Sequence, residues 1–299
     1  MLEFSIRPFT LNDVDFAVRV TGKEHWGYTK EDFTLVFLAE LGEQFIAEED
    51  ITKQKMGMLS TFKYGGKLAW IGNVIVQEDF RGKGIGTALL KHAIRHLKKE
   101  GVKTIRLYSY QESASLYQKL SFTREGVTGL FTKRGSTQFS NDDDEINEVK
   151  ARLSTADKVD LERLIDFDGK CFGADRRRLL TSTIHSENAK CFVKVNDKSK
   201  KNIVGYIIAT EGKREFSVGP WVCDPGRVDV AEALIRAVMD QAEGKKITAA
   251  TPLENAESVG ILEKLKFTRT IEVLRLRKER DLYNGKPEWI FAAGGVEKG

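Results

Sequence analysis

Residues 69–87 read A-W-I-G-N-V-I-V-Q-E-D-F-R-G-K-G-I-G-T, and the rest of the chain is organised around this stretch. It opens with an apolar run that predicts a mostly buried strand. It closes with a glycine-rich turn at 81–86, and a strongly helical stretch begins at Thr87. Glycines let the backbone approach a ligand closely, and the first amides of a helix have no partner inside it. Strand, glycine turn and helix together therefore predict a site for an anion such as a phosphate.

Three other interpretations of this turn are weaker. A P-loop would end in Lys followed by Ser or Thr, whereas Gly84 follows Lys83. A dinucleotide fingerprint needs another glycine spacing and an acidic residue at the end of the next strand, and Thr104–Tyr108 offers no clear one. A tight turn without any ligand would carry three alternate glycines at a cost of up to about 1 kcal/mol each. We therefore favour a cofactor loop.

Two motifs carry a family resemblance. The turn at 81–86, R-G-K-G-I-G, resembles the acetyl-CoA loop of the GNAT superfamily of N-acetyltransferases, whose signature is Arg/Gln-x-x-Gly-x-Gly/Ala. Residues 116–122, L-Y-Q-K-L-S-F, are similar to the family's Leu-Tyr-x-Lys-Leu-Gly-Phe, with Ser121 in place of the usual Gly. The motifs stand in the family's order. The resemblance implies an α/β fold with a mixed central sheet flanked by helices, and acetyl transfer from acetyl-CoA to a primary amine by direct attack.

Composition bounds the class of protein. The chain has 299 residues, enough for two ordinary domains, with 41% hydrophobic and 31% charged residues. A net charge of +4 is small for this length and does not favour nucleic acid as a partner. No apolar run approaches 18 residues, and the start has no signal-peptide layout, so we expect no membrane partner. Cys171, Cys191 and Cys223 are odd in number and widely spaced, which predicts reduced thiols in a cytoplasmic protein.

One constant shift in numbering aligns the two halves of the chain, which indicates an internal repeat. The first half supplies Arg7, Thr10, Val14, Asp15, Asp79, Ala88, Leu89, Lys119, Leu120, Phe122, Thr123 and Arg124, which meet Arg152, Thr155, Val159, Asp160, Asp224, Ala233, Leu234, Lys264, Leu265, Phe267, Thr268 and Arg269. We interpret the chain as two tandem GNAT-like domains. The predicted ranges are 1–134 for a catalytic domain, 135–147 for a polar linker and 148–299 for a second copy.

The second copy lacks both functional motifs. Its loop places Arg227, Asp229 and Ala231 where the first copy has glycines, and carboxylates there would repel a pyrophosphate. Leu262 replaces Tyr117. We expect this degenerate domain to support, shape or cover the active site, or to pair subunits, and a cofactor site built from other residues stays open.

The resemblance assigns roles to residues of the first copy. The pantetheine arm falls on the strand that enters the loop, and Tyr117 occupies the position of the family's general acid. With an unperturbed pKa near ~10, a tyrosine is protonated at neutral pH and can serve, although a plain core tyrosine is the alternative. The predicted cofactor-binding residues are Val74, Ile75, Val76, Arg81, Gly82, Lys83, Gly84, Ile85, Gly86 and Thr87.

The acceptor side is less defined. A lysine-like amine, with a pKa of about 10.4, must lose a proton before it attacks. Candidate bases are Glu24, His25, Glu48 and Glu49, none of them favoured. The aromatic residues Trp26 and Tyr28 fit an acceptor pocket, or more simply the core.

Other features leave the overall expectation unchanged. His92 and His96 have the spacing of a metal pair, but their helix is rich in Lys and Arg, so we expect a solvated face and no metal. We expect a small-molecule or peptide amine as acceptor, and a homodimer stays open. The alternatives to an enzyme are a non-catalytic acyl-CoA sensor, which would keep the loop and be indifferent to Tyr117, and a scaffold that binds no CoA.

Overall fold

The computed structural model describes residues 3–38, 40–134, 144–196, 202–212, 215–279 and 285–299. The described part of the chain forms an α/β fold, as predicted. Its strands are β1 Phe4–Pro8, β2 Gly42–Glu49, β3 Lys55–Tyr64, β4 Leu68–Val76, β5 Thr104–Ser109, β6 Thr123–Arg134, β7 Ser154–Thr155, β8 Ala189–Val195, β9 Ile203–Glu211, β10 Glu215–Cys223, β11 Lys246–Pro252, β12 Thr268–Glu279 and β13 Ile290–Ala292. Its helices are α1 Val14–Lys23, α2 Lys30–Leu38, α3 Ile85–Lys99, α4 Ala114–Gln118, α5 Asp144–Ala151, α6 Leu161–Phe172, α7 Arg177–Ile184, α8 Val228–Gln241 and α9 Ala256–Lys264.

The two predicted sheets are joined into one mixed sheet of 13 strands, in the order β1-β2-β3-β4-β5-β12-β6-β11-β10-β9-β8-β7, with β13 beside β10. Strand β12 of the second half lies between β5 and β6 of the first. Strand β6 in turn pairs with β11 of the second half. The two halves therefore exchange their last long strands, β6 and β12, and they cannot separate without breaking strand pairs.

The strand exchange bears on the predicted domain division. The two halves share one sheet, so the sheet does not divide the chain at the predicted residues. The ranges 1–134 and 148–299 therefore stay a prediction. Of the predicted linker, residues 135–143 lie outside the described residues, and 144–147 form the start of α5.

Each face of the first half carries its own helices. Strands β4 and β5 are parallel, and α3 connects them as a crossover helix. Helix α3 buries Leu89, Leu90, Ala93 and Leu97 against one face of these strands, at the spacing of an amphipathic helix. Helices α1 and α2 pack on the opposite face, around Ile75 and other apolar side chains.

A buried carboxylate fixes the start of the first half. Asp13, 0% exposed, closes a capping box with Thr10, and its carboxylate accepts hydrogen bonds from the Arg7 guanidinium at 2.8 and 3.0 Å. The Lys55 ammonium lies 2.6 Å away. Burial alone would raise the pKa of Asp13, but the hydrogen bonds from Arg7, Lys55 and Thr10 outweigh it and hold the pKa well below its usual range.

Two further expectations from the sequence concern the cysteines and membrane-spanning segments. Cys171, Cys191 and Cys223 are all buried, and no disulfide links them. Among the described residues, no helix combines the length and the apolar character that a membrane crossing requires.

Candidate active site

Strand β4 carries a bulge that opens a gap in the sheet. Gly72 pairs with Ser60 of β3 and Ile75 pairs with Met58, so β4 has one extra residue between these pairs. Asn73 lies in this bulge with φ +52°, and its amide donates to the Ser60 hydroxyl at 3.3 Å. The pairing of β4 with β5 stops at Ile71↔Leu107. Beyond that pair, the described strands leave the β5 side of residues 72–76 without a partner, at the strand predicted to hold the pantetheine arm.

Helix α3 begins at the end of this open strand. Its N-cap is Gly84, in the left-handed conformation with φ +82°, and no side chain caps the first amides. A Cβ at Gly82 or Gly84 would meet nothing within 4 Å, so open space lies over the loop. Unpartnered helix amides, a helix dipole and open space fit an anionic phosphate group.

The charged side chains of the loop are held by protein groups. Arg81 donates to the Val76 carbonyl at 3.0 Å and pairs with Glu24. Lys83 donates to the Asp79 carbonyl at 2.9 Å. The backbone amides, rather than these side chains, are therefore the groups left available to an anion.

Tyr117 lies in α4, buried at 6% exposure against the α3 core, with its ring 6.1 Å from that of Phe122. Burial raises the pKa of Tyr117 to about 12, so the phenol keeps its proton throughout the neutral range. Ser121, which replaces the glycine of the family motif, has φ +63°. That left-handed conformation explains why glycine is usual at this position.

The second half has the same strand-and-helix arrangement, but its gap is filled. Strands β10 and β11 are parallel and part after Val218↔Ala249. Strand β13 then pairs with β10 at Trp221 and Val222, on the edge opposite β9. The Ala293 amide donates to the Ala250 carbonyl of β11 at 2.8 Å, which completes the closure.

The start of α8 is also occupied by its own side chains. The Arg227 guanidinium donates to the Asp229 carboxylate at 2.9 and 2.6 Å, and the Asp224 carboxylate accepts the Gly226 amide at 2.9 Å. The hydrogen bonds from Arg227 lower the pKa of Asp229 and so keep it charged. Leu262, at the position of Tyr117, is fully buried in α9.

A cavity of about 530 Å³ lies between the halves, on the sheet face opposite α3. Trp70 and Tyr108 line it with their rings 4.9 Å apart, and Phe172 joins them from the second half. Their neighbours Ala69, Ile71, Ile105 and Leu107 point the other way, into the α3 core. The cavity therefore opens beside the point at which β4 and β5 part, on the face of the sheet opposite α3.

The four candidate bases lie elsewhere. Glu24 pairs with Arg81 at the phosphate end of the loop, and Glu48 receives the Arg7 guanidinium at 2.7 Å. Glu49 accepts the Thr52 amide in the β2–β3 turn, and His25 is exposed. None of the four reaches the bulge of β4.

The predicted aromatic and histidine features have structural roles. Trp26 and Tyr28 pack against the α1–α2 core, and the Tyr28 ring lies 5.4 Å from that of Phe33. The rings of His92 and His96 pack edge-on against Phe45. The described residues contain no group of three or more side chains suited to a metal ion.

Sequence reasoning missed the segment that follows β13. Residues 293–299 run along β4 on the cavity side, so that a Cβ at Gly72 would lie 2.6 Å from the Cβ and the carbonyl oxygen of Glu297. The Tyr64 hydroxyl donates to the Lys298 carbonyl at 2.8 Å, and Arg176 donates to the Gly299 carbonyl at 3.1 Å. The only sequence signal near this segment is the apolar triplet 289–291, W-I-F, which overlaps β13 and does not predict the course of the chain beyond it.

Comparison with known proteins agrees with this arrangement. Residues 11–122 match the family described as "Acetyltransferase (GNAT) family", and residues 164–292 match "Acetyltransferase (GNAT) domain". The chain therefore belongs to the GNAT superfamily of acetyltransferases and is a tandem member with two such domains.

The curated relatives match this chain over different lengths. The chain is 24% identical to the holothin acyltransferase of Pseudoalteromonas sp. (strain SANK 73390) over 83% of this chain and 79% of the relative. It is 30% identical to the uncharacterized N-acetyltransferase ycf52 of Pyropia yezoensis, over 29% of this chain and 51% of that protein.

Solved structures show the same fold over nearly the whole chain. A putative acetyltransferase from Pyrococcus horikoshii superposes with a TM-score of 0.78 at 21% identity, over 99% of this chain and 96% of the other. A tandem GNAT protein from the clavulanic acid biosynthesis pathway gives a TM-score of 0.65 at 15% identity, over 93% and 98% of the two chains.

Proposed function

We propose that this protein is an acetyl-CoA-dependent N-acetyltransferase whose one active site lies in the first half. The observation that carries the proposal is the continuity of two features. The unpaired edge of residues 72–76 leads directly into the uncapped N-terminus of α3 at Gly84. An extended, amide-bearing arm can pair with a strand edge as a peptide does, and a pyrophosphate suits the helix start.

Acetyl-CoA, when bound, supplies the activated acetyl group as a thioester. In this proposal the amides of 82–87 hold the pyrophosphate, since the Arg81 amide already donates to the Glu78 carbonyl at 3.1 Å. Val74 and Val76 orient the arm through their backbone. A backbone amide of the same strand donates to the oxygen on which charge develops. Tyr117 then gives its proton to the departing sulfur, a role that its raised pKa supports because the acid form is the one present.

We further propose a small-molecule amine as the acceptor, with a peptide amine as the alternative. The cavity of about 530 Å³ beside the gap is the size of a ligand pocket, and its walls are aromatic and charged. The relative from Pseudoalteromonas is named for acyl transfer to holothin, which supports a small molecule here.

The test begins with calorimetric titration of acetyl-CoA into the purified protein, followed by a panel of amines in which thiol release is measured. We expect binding with one site per chain and turnover with at least one class of amine. Binding without turnover across the panel, with Tyr117→Phe unchanged in affinity, would favour the acyl-CoA sensor instead. If the protein does not bind acetyl-CoA, the scaffold is the interpretation that remains.

A further inference from the structure

We propose that Glu297, in the segment that follows β13, is the general base for the acceptor amine. This inference rests on the proposed function above. It assigns to the second half a catalytic residue in the active site of the first, where the four bases predicted from sequence do not reach.

The position of Glu297 carries the argument. Its backbone and Cβ lie against Gly72, the last residue of β4 before the bulge, closely enough that no side chain fits there. Gly72 is also the first residue of β4 beyond its pairing with β5. The Cβ of Glu297 therefore lies on the cavity side of β4, beside the end of the gap, and its carboxylate oxygens lie over Gly295, where a Cβ would meet them at 2.8 and 3.1 Å.

The segment is anchored by both halves, so Glu297 is held in place. Tyr64 of β3 donates to the Lys298 carbonyl at 2.8 Å. Arg176, 2% exposed and bound to the Asp168 carboxylate at 3.0 and 2.6 Å, donates to the Gly299 carbonyl. Glu297 itself is only 8% exposed. A base whose rotamers are restricted in this way is better placed for proton transfer than one on the surface.

The surroundings of the carboxylate suit an ammonium ion. The Lys298 ammonium lies 3.0 Å from the Glu297 carboxylate, so the site already holds a primary amine beside this oxygen. Burial raises the pKa of the Tyr28 phenol well above its usual range, and the nearby Glu297 carboxylate adds to that rise. The other charged or titratable groups around this cluster are Asp32, near Tyr28 and Lys298, Tyr110, near Tyr28, and Tyr64, which also interacts with Arg176 and Asp168.

The proton balance is as follows. An acceptor ammonium gives one proton to the Glu297 carboxylate, which passes it to solvent, and the neutral nitrogen attacks the thioester carbon. The C–N bond forms and the C–S bond breaks. The nitrogen loses a second proton, which replaces the proton that Tyr117 donates to the sulfur. The products are an amide, a thiol and one released proton.

The test compares two amines that differ in their need for a base. n-Butylamine is almost fully protonated at neutral pH, whereas hydroxylamine is mostly uncharged there and attacks without help. Thiol release from acetyl-CoA is measured with each amine for wild type, Glu297→Gln and Glu263→Gln. Glu263 is exposed on α9 and does not line the cavity, so it serves as the matched control.

We expect Glu297→Gln to lower kcat with n-butylamine by about 10²–10⁴-fold and to leave hydroxylamine turnover within a few-fold of wild type. Glu263→Gln should change neither rate. Equal losses with both amines, or no loss, would overturn the assignment, since a merely structural role affects both amines alike. A wild type that binds acetyl-CoA but acetylates no amine of the panel would overturn the proposed function. If n-butylamine itself is not turned over, the best alkylamine of the panel takes its place, so that equal losses in an active enzyme overturn only the Glu297 assignment.

A second variant keeps the test independent of folding defects in Glu297→Gln. Glu297→Asp keeps a carboxylate on a side chain that is one methylene shorter. It should recover part of the n-butylamine turnover that Glu297→Gln loses, because the acid–base group is retained, and it should leave hydroxylamine turnover within a few-fold of wild type. A Glu297→Asp variant with wild-type thermal stability that is as slow with n-butylamine as Glu297→Gln would overturn the assignment.

Discussion

Gly84→Asp tests the cofactor loop most directly. Gly84 has φ +82° at the N-cap of α3, where a Cβ would meet no atom within 4 Å. A left-handed conformation costs an L-residue about 1–2 kcal/mol. An aspartate at an N-cap can accept from the helix amides and recover about 1 kcal/mol, so the variant should fold.

The expected effect on binding is much larger. The new carboxylate occupies the space and the amides that we assign to the pyrophosphate. Two unit charges about 4 Å apart repel by about 4 kcal/mol at an effective dielectric constant of 20. At about 1.4 kcal/mol for each tenfold change, the Kd for acetyl-CoA should rise nearly a thousandfold.

Gly101 provides a matched control at the other end of the same helix. It also has φ +82° and open space around its Cβ. Gly101→Asp therefore carries the same strain, and its carboxylate near the negative helix end adds about 0.3–1 kcal/mol. It should lose at least as much stability as Gly84→Asp while it binds acetyl-CoA like wild type.

Calorimetry gives the Kd of both variants, and thermal unfolding reports their stability. If Gly84→Asp bound acetyl-CoA within about tenfold of wild type, no phosphate could lie at this loop, and the assignment would be refuted. If both variants lost affinity in proportion to their stability, the effect would be a general one on folding and not a local charge effect.

Three further predictions follow from the same structure. Tyr117→Phe should lower kcat by about 10²–10⁴-fold with the Kd of acetyl-CoA unchanged. Because the phenol pKa is raised to about 12, a pH–rate profile of the wild type should show no alkaline loss from this group below about pH 10. Titration should give one acetyl-CoA site per chain, and Asp229→Asn should leave turnover unchanged, since β13 and Arg227 already occupy the second gap and helix start. Asp13→Asn should lower the free energy of unfolding by about 2 kcal/mol at pH 7. Because the pKa of Asp13 is depressed in the folded state, this contribution is present above the unfolded pKa and is lost as the pH falls below about 4. Denaturant titrations of wild type and variant should therefore differ less at pH 3 than at pH 7.

The loop and its strand could be predicted because their signals are local. Alternate glycines, an apolar run and a helical pattern lie within residues 69–99, and the structure puts β4 and α3 there with boundaries within two residues of the prediction. The repeat also made the second α/β unit predictable, since β10 and α8 follow from β4 and α3. The helices α5, α7 and α9 were not predicted from the sequence.

The strand exchange could not be predicted from these patterns. Strands β6 and β12 correspond to each other in the repeat, so each could satisfy the same neighbours within its own half. Only the pairing of β12 with β5, and of β6 with β11, decides that they cross. That choice depends on contacts between residues more than a hundred positions apart, which hydrophobic periodicity does not encode.

The segment 290–299 gives a physical reason for the asymmetry between two copies of one fold. A gap between parallel strands leaves backbone groups that need partners, and either a ligand or the protein must provide them. In the second half β13 provides them at Trp221 and Val222, so that gap has no room for an extended arm. The chain then continues to Gly72 of the first half and covers the acceptor side of β4 without pairing in its gap. One segment therefore fills the gap of the second half and, if Glu297 is the base, completes the proposed active site of the first, so the filled gap of one copy and the open gap of the other have a common structural cause.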